Sequence, residues 1–258
     1  MPTGGRLMWE QTGARIPPFF EAPSTRYYLA CEKALFLEFF PWLKGKLLLK
    51  TDLWDEAKNT RILKWAEKRG ARAFGIDISS SVLKEARAQF DRTRRQKRFV
   101  LSDVRQIAFA DGSFDCLYSM GTVEHFPEFR LALKECHRVL KPGGRAVIGV
   151  PNKFDPFLRP LLVWFLNKMS LYAYGFEKSL SFRELEMLLR EAGFKIESRT
   201  GILFLPGWLR LADLWLYVRR PRLSFLIAPL IAPFAALYKR FKFLRQHGYL
   251  IACVARKA

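Results

Sequence analysis

The chain is short of acid. Its 258 residues carry 24 aspartates and glutamates against 44 lysines and arginines, a formal net charge of +20. An excess of that size concerns partners rather than fold: an anionic membrane surface, a nucleic acid or an acidic substrate. Cysteine is scarce as well. Cys31, Cys116, Cys136 and Cys253 stand far apart with no CxxC pair, which argues against a zinc site or a disulfide scaffold and suits a reducing cytoplasm. No uncharged apolar run reaches 18 residues, so a simple spanning helix is not expected. Residues 1–20 lack the continuous apolar stretch of a signal peptide. Internal repeats and low-complexity tracts are absent. Core material, by contrast, is plentiful. Half of the residues are hydrophobic and 15% are aromatic, enough for one large α/β domain with insertions.

Periodicity supplies the order of the elements. Residues 1–23, with Gly4, Gly5, Gly13, Pro17, Pro18 and Pro23, read as an irregular arm. Ser24 or Thr25 would cap a helix that stops before Pro41. Strands and helices then alternate. KLLLK at 46–50 is a strand, and 56–68 is a helix with Ile62, Leu63, Trp65 and Ala66 on its apolar face. RAFGID at 72–77 is the second strand; 79–90 is a helix capped by Ser79, with Val82, Leu83, Ala86 and Phe90 on one side. Residues 98–101 form a third strand and 114–119 a fourth. Phe129, Leu131, Leu133, Cys136 and Leu140 fall at helical spacing over 128–140, Pro142-Gly143-Gly144 ends that helix, and 145–150 is a buried strand. Ser181-Phe-Arg-Glu184 is a capping box opening a helix that Gly193 closes, followed by strands at 194–199 and 249–256. Strands alternating with such helices imply βαβ units and a parallel sheet. About 50 residues separate the last two strands, far more than a hairpin needs, so 200–248 reads as an insertion.

The stretch FDCLYSMGTVEHFPEFRLALKECHRVLKPGGRAVIGVPN at 114–152 resembles the fourth strand, fourth helix and fifth strand of class I methyltransferases that use S-adenosylmethionine. Its RVLKPGG and VPN pieces are similar to the branch that methylates small molecules and lipids, ubiquinone-type enzymes included. The resemblance covers about 46–193 and the final strand. It implies an α/β, Rossmann-like, doubly wound sheet of about seven strands, mostly parallel with an antiparallel edge strand, here with an inserted hydrophobic helical cap. It implies S-adenosylmethionine as cofactor. Asp77, with Ile78 beside it, would accept the ribose hydroxyls from the end of the second strand; a solvated or helix-capping Asp is the alternative. Asp103 and Val104 would approach the adenine, and Met120 would line the cofactor after the fourth strand. The family's leading helix lies over the cofactor and substrate mouth.

The first loop departs from the family. An acid and several glycines normally follow the first strand, letting backbone approach the methionine part closely. This chain has KTDLWDEA at 50–57, with no glycine. By the resemblance, Asp52 or Asp55 would meet the cofactor's ammonium and Thr51 its carboxylate. The competing reading is a loop too bulky for cofactor, which would make the chain a non-catalytic binding or scaffold relative. Glu124 and His125 follow the fourth strand at the mouth. His125 would remove a proton from the attacking nucleophile, or else cap the helix or line the adenine side. Some ubiquinone-type enzymes hold a divalent metal here with two glutamates and a histidine; Gly121 stands where the first glutamate would be, and no metal is expected. Tyr172, Tyr174 and Glu177 lie in the connection that supplies acceptor contacts in the family, with ordinary packing as the alternative.

The insertion is both basic and apolar. From 200 to 258 the one acid is Asp213, against ten lysines and arginines. LSFLIAPLIAPFAALY at 223–238 is uncharged but broken by Pro229 and Pro233, with basic clusters on both flanks. With FLRPLLVWFL at 157–166 it fits an interfacial cap on anionic lipid; a soluble lid or an oligomer interface is the alternative. Nucleic acid is the weaker reading, because bulky aliphatics interleave the basic residues and no RNA-module signature is present. The sequence therefore divides into an arm and helix (1–45), a methyltransferase core (46–199), a cap (200–248) and a final core strand (249–258). The expected activity is S-adenosylmethionine-dependent methyl transfer to a hydrophobic small-molecule or lipid-like acceptor, in the cytoplasm or peripherally on the inner face of a membrane. Nothing in the sequence sets the oligomeric state.

Overall fold

Apolar runs too short for helices and flanked by glycine or charge become strands: β1 (Leu47–Lys50), β2 (Arg72–Asp77), β3 (Phe99–Leu101), β4 (Phe114–Met120), β5 (Leu140–Pro151), β6 (Phe194–Ile202) and β7 (Leu250–Lys257). The computed structural model describes residues 5–90 and 98–258; residues 1–4 of the N-terminal arm lie outside the described residues. The strands form one sheet in the order β3-β2-β1-β4-β5-β7-β6. β1 to β5 pair in parallel, and β7 runs antiparallel to both β5 and β6. The doubly wound sheet matches the expectation. The antiparallel strand lies one place in from the edge, with β6 outermost.

Ten α-helices cover the sheet among the described residues: α1 (Arg6–Arg15), α2 (Pro23–Phe39), α3 (Trp54–Lys58), α4 (Ile62–Lys68), α5 (Ser80–Ala88), α6 (Phe129–Val139), α7 (Arg159–Lys168), α8 (Phe182–Glu191), α9 (Gly207–Arg219) and α10 (Ala228–Arg240). Alternate strand residues feed two cores. Leu48, Ala252 and Val254 join α2, α4, α5, α9 and α10 on one face; Leu49, Ile251 and Cys253 join α6 and α8 on the other. Both faces are buried, as a parallel sheet requires. Ser79 caps α5, and the Ser181–Glu184 capping box opens α8.

Five local expectations are corrected. The arm is not irregular throughout, since residues 6–15 form α1. Gly13 is no helix breaker there: a Cβ would lie 2.7 Å from Val82 Cγ2, so glycine lets α1 press onto α5. Ser24 and Thr25 do not cap α2; Ala22 is the N-cap, Pro23 takes the first turn, and both hydroxyl residues are buried inside the helix. The single helix at 56–68 is two, α3 and α4, broken where Arg61 takes a left-handed φ of 58°. Asp55 explains the break, because its carbonyl accepts both the Asn59 and Arg61 N–H groups. Pro142-Gly143-Gly144 does not end α6, which stops at Val139; the three residues form an irregularity within β5, with Gly143 at φ 75°. Lastly, β6 runs on to Ile202, so the insertion starts later than residue 200.

Candidate functional site

The sheet order reverses between β1 and β4, which opens a crevice beyond the carboxyl ends of the parallel strands. A cleft there holds about 1090 Å³ of empty space, solvent at its mouth included. Thr51, Asp52, Asp55, Asp77, Ile78, Val104, Met120, Glu124, His125, Tyr172, Tyr174 and Glu177 all line it. Of the residues singled out in the sequence, Asp103 is the exception. Its carboxylate accepts two-pronged hydrogen bonds from Arg105 at 2.7–3.2 Å, and its neighbours Ser102 and Val104 face the cleft instead. Burial alone would raise the Asp103 carboxyl, but Arg105 outweighs it and holds it low.

The glycine-free first loop is built around Lys50. Its ammonium, fully buried at the end of β1, lies 2.9 Å from Asp52 Oδ1 and 3.0 Å from Asp55 Oδ2, and donates to the Asp52 carbonyl at 3.1 Å. The ammonium held by these two acids is therefore the protein's own. Asp52 Oδ2 also accepts from Thr122 Oγ1, and Asp55 Oδ1 from Asn59 Nδ2. Burial would lower the Lys50 pKa, yet Asp52 and Asp55 outweigh it and raise it. Glu32 and Glu56 add to the acid around this one cation; burial raises both carboxyls, Glu56 to about 8. Thr51 Oγ1 sits 2.7 Å from Ser119 Oγ, tying the loop to β4. The loop needs no glycine for its backbone, since no residue from Lys50 to Thr60 has a positive φ. The room comes from across the sheet. Leu53 is fully buried against Gly75 of β2, where a Cβ would lie 2.4 Å from Leu53 Cδ2.

Asp77, at the end of β2, accepts the Ser79 N–H on Oδ1 and the Leu53 N–H on Oδ2, each at 2.8 Å. Each oxygen keeps acceptor capacity toward the cleft. Burial raises this carboxyl to about 7, against the pull of those two N–H groups. Ile78, Val82, Val104, Met120 and Phe126 supply apolar wall beside it. Carboxylate oxygens that can accept from a sugar's hydroxyls, beside an apolar wall that can take a flat ring, suit a nucleoside.

The opposite half is built for proton chemistry. His125 Nδ1 lies 2.8 Å from the Phe176 carbonyl. A carbonyl can only accept, so Nδ1 carries the proton and Nε2 of the neutral ring is bare. Burial lowers the His125 pKa and keeps the ring neutral. Burial and then Glu177 raise Glu124 well above the carboxylate range, leaving it protonated; its Oε2 is buried without a partner. Its Oε1 stands 3.9 Å from His125 Nε2. Gly121, where the resemblance would place a metal-binding glutamate, has φ 79°, a conformation that disfavours a side chain.

Tyr172 and Glu177 join a buried network. Arg159 Nη2 donates to Glu177 Oε2 at 2.8 Å, Tyr172 donates to the same carboxylate, and the guanidinium stacks 4.1 Å from the Tyr249 ring centroid. The charges of this network are thus internally matched, and Tyr174 is left as an aromatic wall against Trp54 and Trp9. Sequence reasoning missed Arg159, Arg210, Tyr249 and Trp9, all of which line the cleft. Arg159 and Arg210 come from segments read as a greasy exterior, and Tyr249 from the start of the expected final strand; the inward turn of Arg159 and Arg210 is set by distant partners. Trp9 packs 4.8 Å from the His125 ring. It is held there by Glu10, whose carboxylate accepts the Ser80 and Ser81 N–H groups at the start of α5, at 2.7 and 2.9 Å. Glu10 and Ser80 are 70 positions apart, so only the fold brings them together.

Known proteins with similar sequences and folds fit this geometry. Residues 58–148 match the family described as Methyltransferase domain. An O-methyltransferase of Penicillium expansum is 35% identical over 51% of this chain and 47% of its own length. A ubiquinone biosynthesis O-methyltransferase of Thiobacillus denitrificans is 28% identical over 53% of this chain and 61% of its own. The chain thus spans about half to three fifths of the length of these relatives. Among solved structures, the methyltransferase in a complex with the Haloferax volcanii Trm112 activator superposes with a TM-score of 0.65, covering 97% of this chain and 96% of the other at 18% identity. At that identity the likeness concerns the fold.

Proposed function

We propose that this chain, which carries a class I methyltransferase domain, transfers a methyl group from S-adenosylmethionine to an oxygen of a hydrophobic, lipid-like small molecule drawn from a membrane surface. One observation carries the reading: an apolar wall beside the Asp77 carboxylate and His125, whose Nε2 is left free by the Nδ1 bond to the Phe176 carbonyl, line one cleft at the sheet's reversal point. Two relatives with similar sequences are named as O-methyltransferases, one of them for ubiquinone biosynthesis. Residues 46–202 and 250–258 form the transferase core in this reading, and 203–249 the cap; the protein works in the cytoplasm, against the inner face of the membrane.

Asp77 takes the ribose hydroxyls, and Ile78, Val104 and Met120 flank the adenosine. When bound, the cofactor supplies a methyl group on a positively charged sulfur, already activated toward nucleophiles. Lys50, Asp52 and Asp55 hold the first loop in shape. His125 Nε2 receives the acceptor's hydroxyl proton, and protonated Glu124 donates a hydrogen bond to a neighbouring acceptor oxygen. Trp9, Tyr174 and Tyr172 exclude water. A non-catalytic binding protein is the second reading, favoured by the side chains that crowd the first loop.

Methyl-labelled cofactor incubated with the protein and a membrane lipid extract tests the proposal. Label is expected in the organic phase, in an ether product. Label confined to RNA, or no transfer to lipids, quinols or soluble phenols, would contradict it.

A further inference from the structure

The insertion, together with α7 packed against it, has two sides with opposite character. Its inner side belongs to the protein. Asp213 of α9 is fully buried and accepts the Ser24 N–H of α2 at 2.7 Å. Tyr238 of α10 donates to the Gly201 carbonyl at 2.9 Å, and Ile231 is buried in the core. Arg159 of α7 and Arg210 of α9 reach the cleft itself.

The outer side is apolar and basic. Trp164 of α7 is 59% exposed, Trp215 of α9 62%, and Phe225, just before α10, 64%. Phe157, ahead of α7, packs edge-on against Phe234 of α10 and tilted against Phe204, three residues before α9, and α7 also packs on α9, so the three helices adjoin. Arg219, Arg220 and Arg222 flank this side at one end, Lys239 and Arg240 at the other; no acid lies within ion-pair distance of these five among the described residues. The insertion's one acid is the buried Asp213. An exposed apolar patch rimmed by unpaired cations is complementary to anionic lipid: acyl chains take the tryptophans and headgroups take the arginines.

We infer that the outer face of α7, α9 and α10 lies in the plane of an anionic bilayer and does not cross it. By length and composition Pro221–Arg240, at 20 residues, could cross, although Arg222, Lys239 and Arg240 leave no uncharged run of 18 within it. The topology forbids it. The insertion leaves the sheet at Ile202 and returns at Leu250, and those two residues are paired neighbours on β6 and β7. A single crossing would put its ends on opposite sides. Both ends of the segment carry cations, and Ile231 and Tyr238 hold its middle and end to the protein core. Arg159 of α7 and Arg210 of α9 line the cleft, so a lipid-like acceptor would pass from the leaflet under the cap; this clause rests on the proposed function.

Flotation of the whole protein with vesicles tests the inference, comparing phosphatidylcholine alone with phosphatidylcholine plus phosphatidylglycerol. Binding to the anionic vesicles is expected, falling with added salt. Replacing Arg219, Arg220 and Arg222 together by Gln should weaken it on the order of a hundredfold, and Phe225→Glu should also release the protein. An alkaline carbonate wash should strip the wild type. Equal binding to neutral vesicles, indifference to these variants, or retention after carbonate would overturn the inference. So would a lipid-free dimer that Phe225→Glu turns into a monomer, since a second copy would then cover the face. Binding of S-adenosylhomocysteine should be unchanged in every variant. Its absence with flotation intact would sink the proposed methyl transfer and leave the surface standing; loss of flotation alone in the wild type would overturn the surface and the membrane source of the acceptor and leave the methyl transfer standing.

Discussion

Replacing Lys50 by methionine is expected to destabilise the fold by about 3–5 kcal/mol, the usual consequence of stripping the partner from buried charge. Lys50 is fully buried, and its ammonium is the cation that Asp52 and Asp55 share. Methionine keeps the volume and removes the charge. Asp52, Asp55, Glu32 and Glu56 would then lie together without it, and the carboxyls of Asp52, Glu32 and Glu56, which burial raises and Lys50 pulls down, would be raised further. A carboxyl raised above its unfolded value favours folding when protonated, and that contribution is lost as pH rises through the folded pKa. The Lys50→Met deficit should therefore be small in acid and grow toward neutral pH. Denaturant unfolding across pH checks this, and Lys50→Met with Asp55→Asn should recover part of the loss. A deficit independent of pH would mean that Lys50 acts by packing alone.

Replacing His125 by glutamine should lower kcat by about 10²–10⁴-fold, the range for a positioned general base. Glutamine can still hydrogen-bond the Phe176 carbonyl, but it has no nitrogen that takes a proton. Burial holds the His125 pKa below its ordinary value of 6.5. Wild-type kcat should therefore rise with pH below that value, as Nε2 becomes free, and be flat above it. The variant should lose the acid limb. A loss of less than about tenfold with the limb retained would assign His125 to placement of the acceptor, since a positioned base contributes more.

The sheet was plain in the sequence because parallel strands buried on both faces must be runs such as LLL, AFGI and AVIGV. Asp77, Ile78, Val104, Met120, Glu124 and His125 were legible for the same reason, since position at a strand end fixes what faces the cleft. Side chains whose direction depends on distant partners were not. Lys50 ends an apolar strand and by pattern would reach solvent; the acids around it bring it inside. Trp9 comes to the site because Glu10 of α1 accepts from the start of α5, and Arg159 through Glu177. Gly13 read as a breaker because its role is contact, not conformation. Asp103 illustrates the opposite failure. Its strand-end position is right, but Arg105, two residues on, claims the carboxylate.

Calorimetric titration with S-adenosylmethionine and S-adenosylhomocysteine, wild type beside Asp77→Ala, tests the central claim most directly. Losing hydrogen bonds to an ionised acceptor, at about 1.5–3 kcal/mol each, should weaken the variant on the order of a hundredfold or more. Donors from the ribose favour the ionised carboxyl, which in the free protein titrates near about 7. Wild-type affinity should accordingly rise with pH through that value and level off above it. Uptake of neither compound by the folded protein, with anionic vesicles present, would contradict the account and leave the chain a methyltransferase fold kept for binding alone.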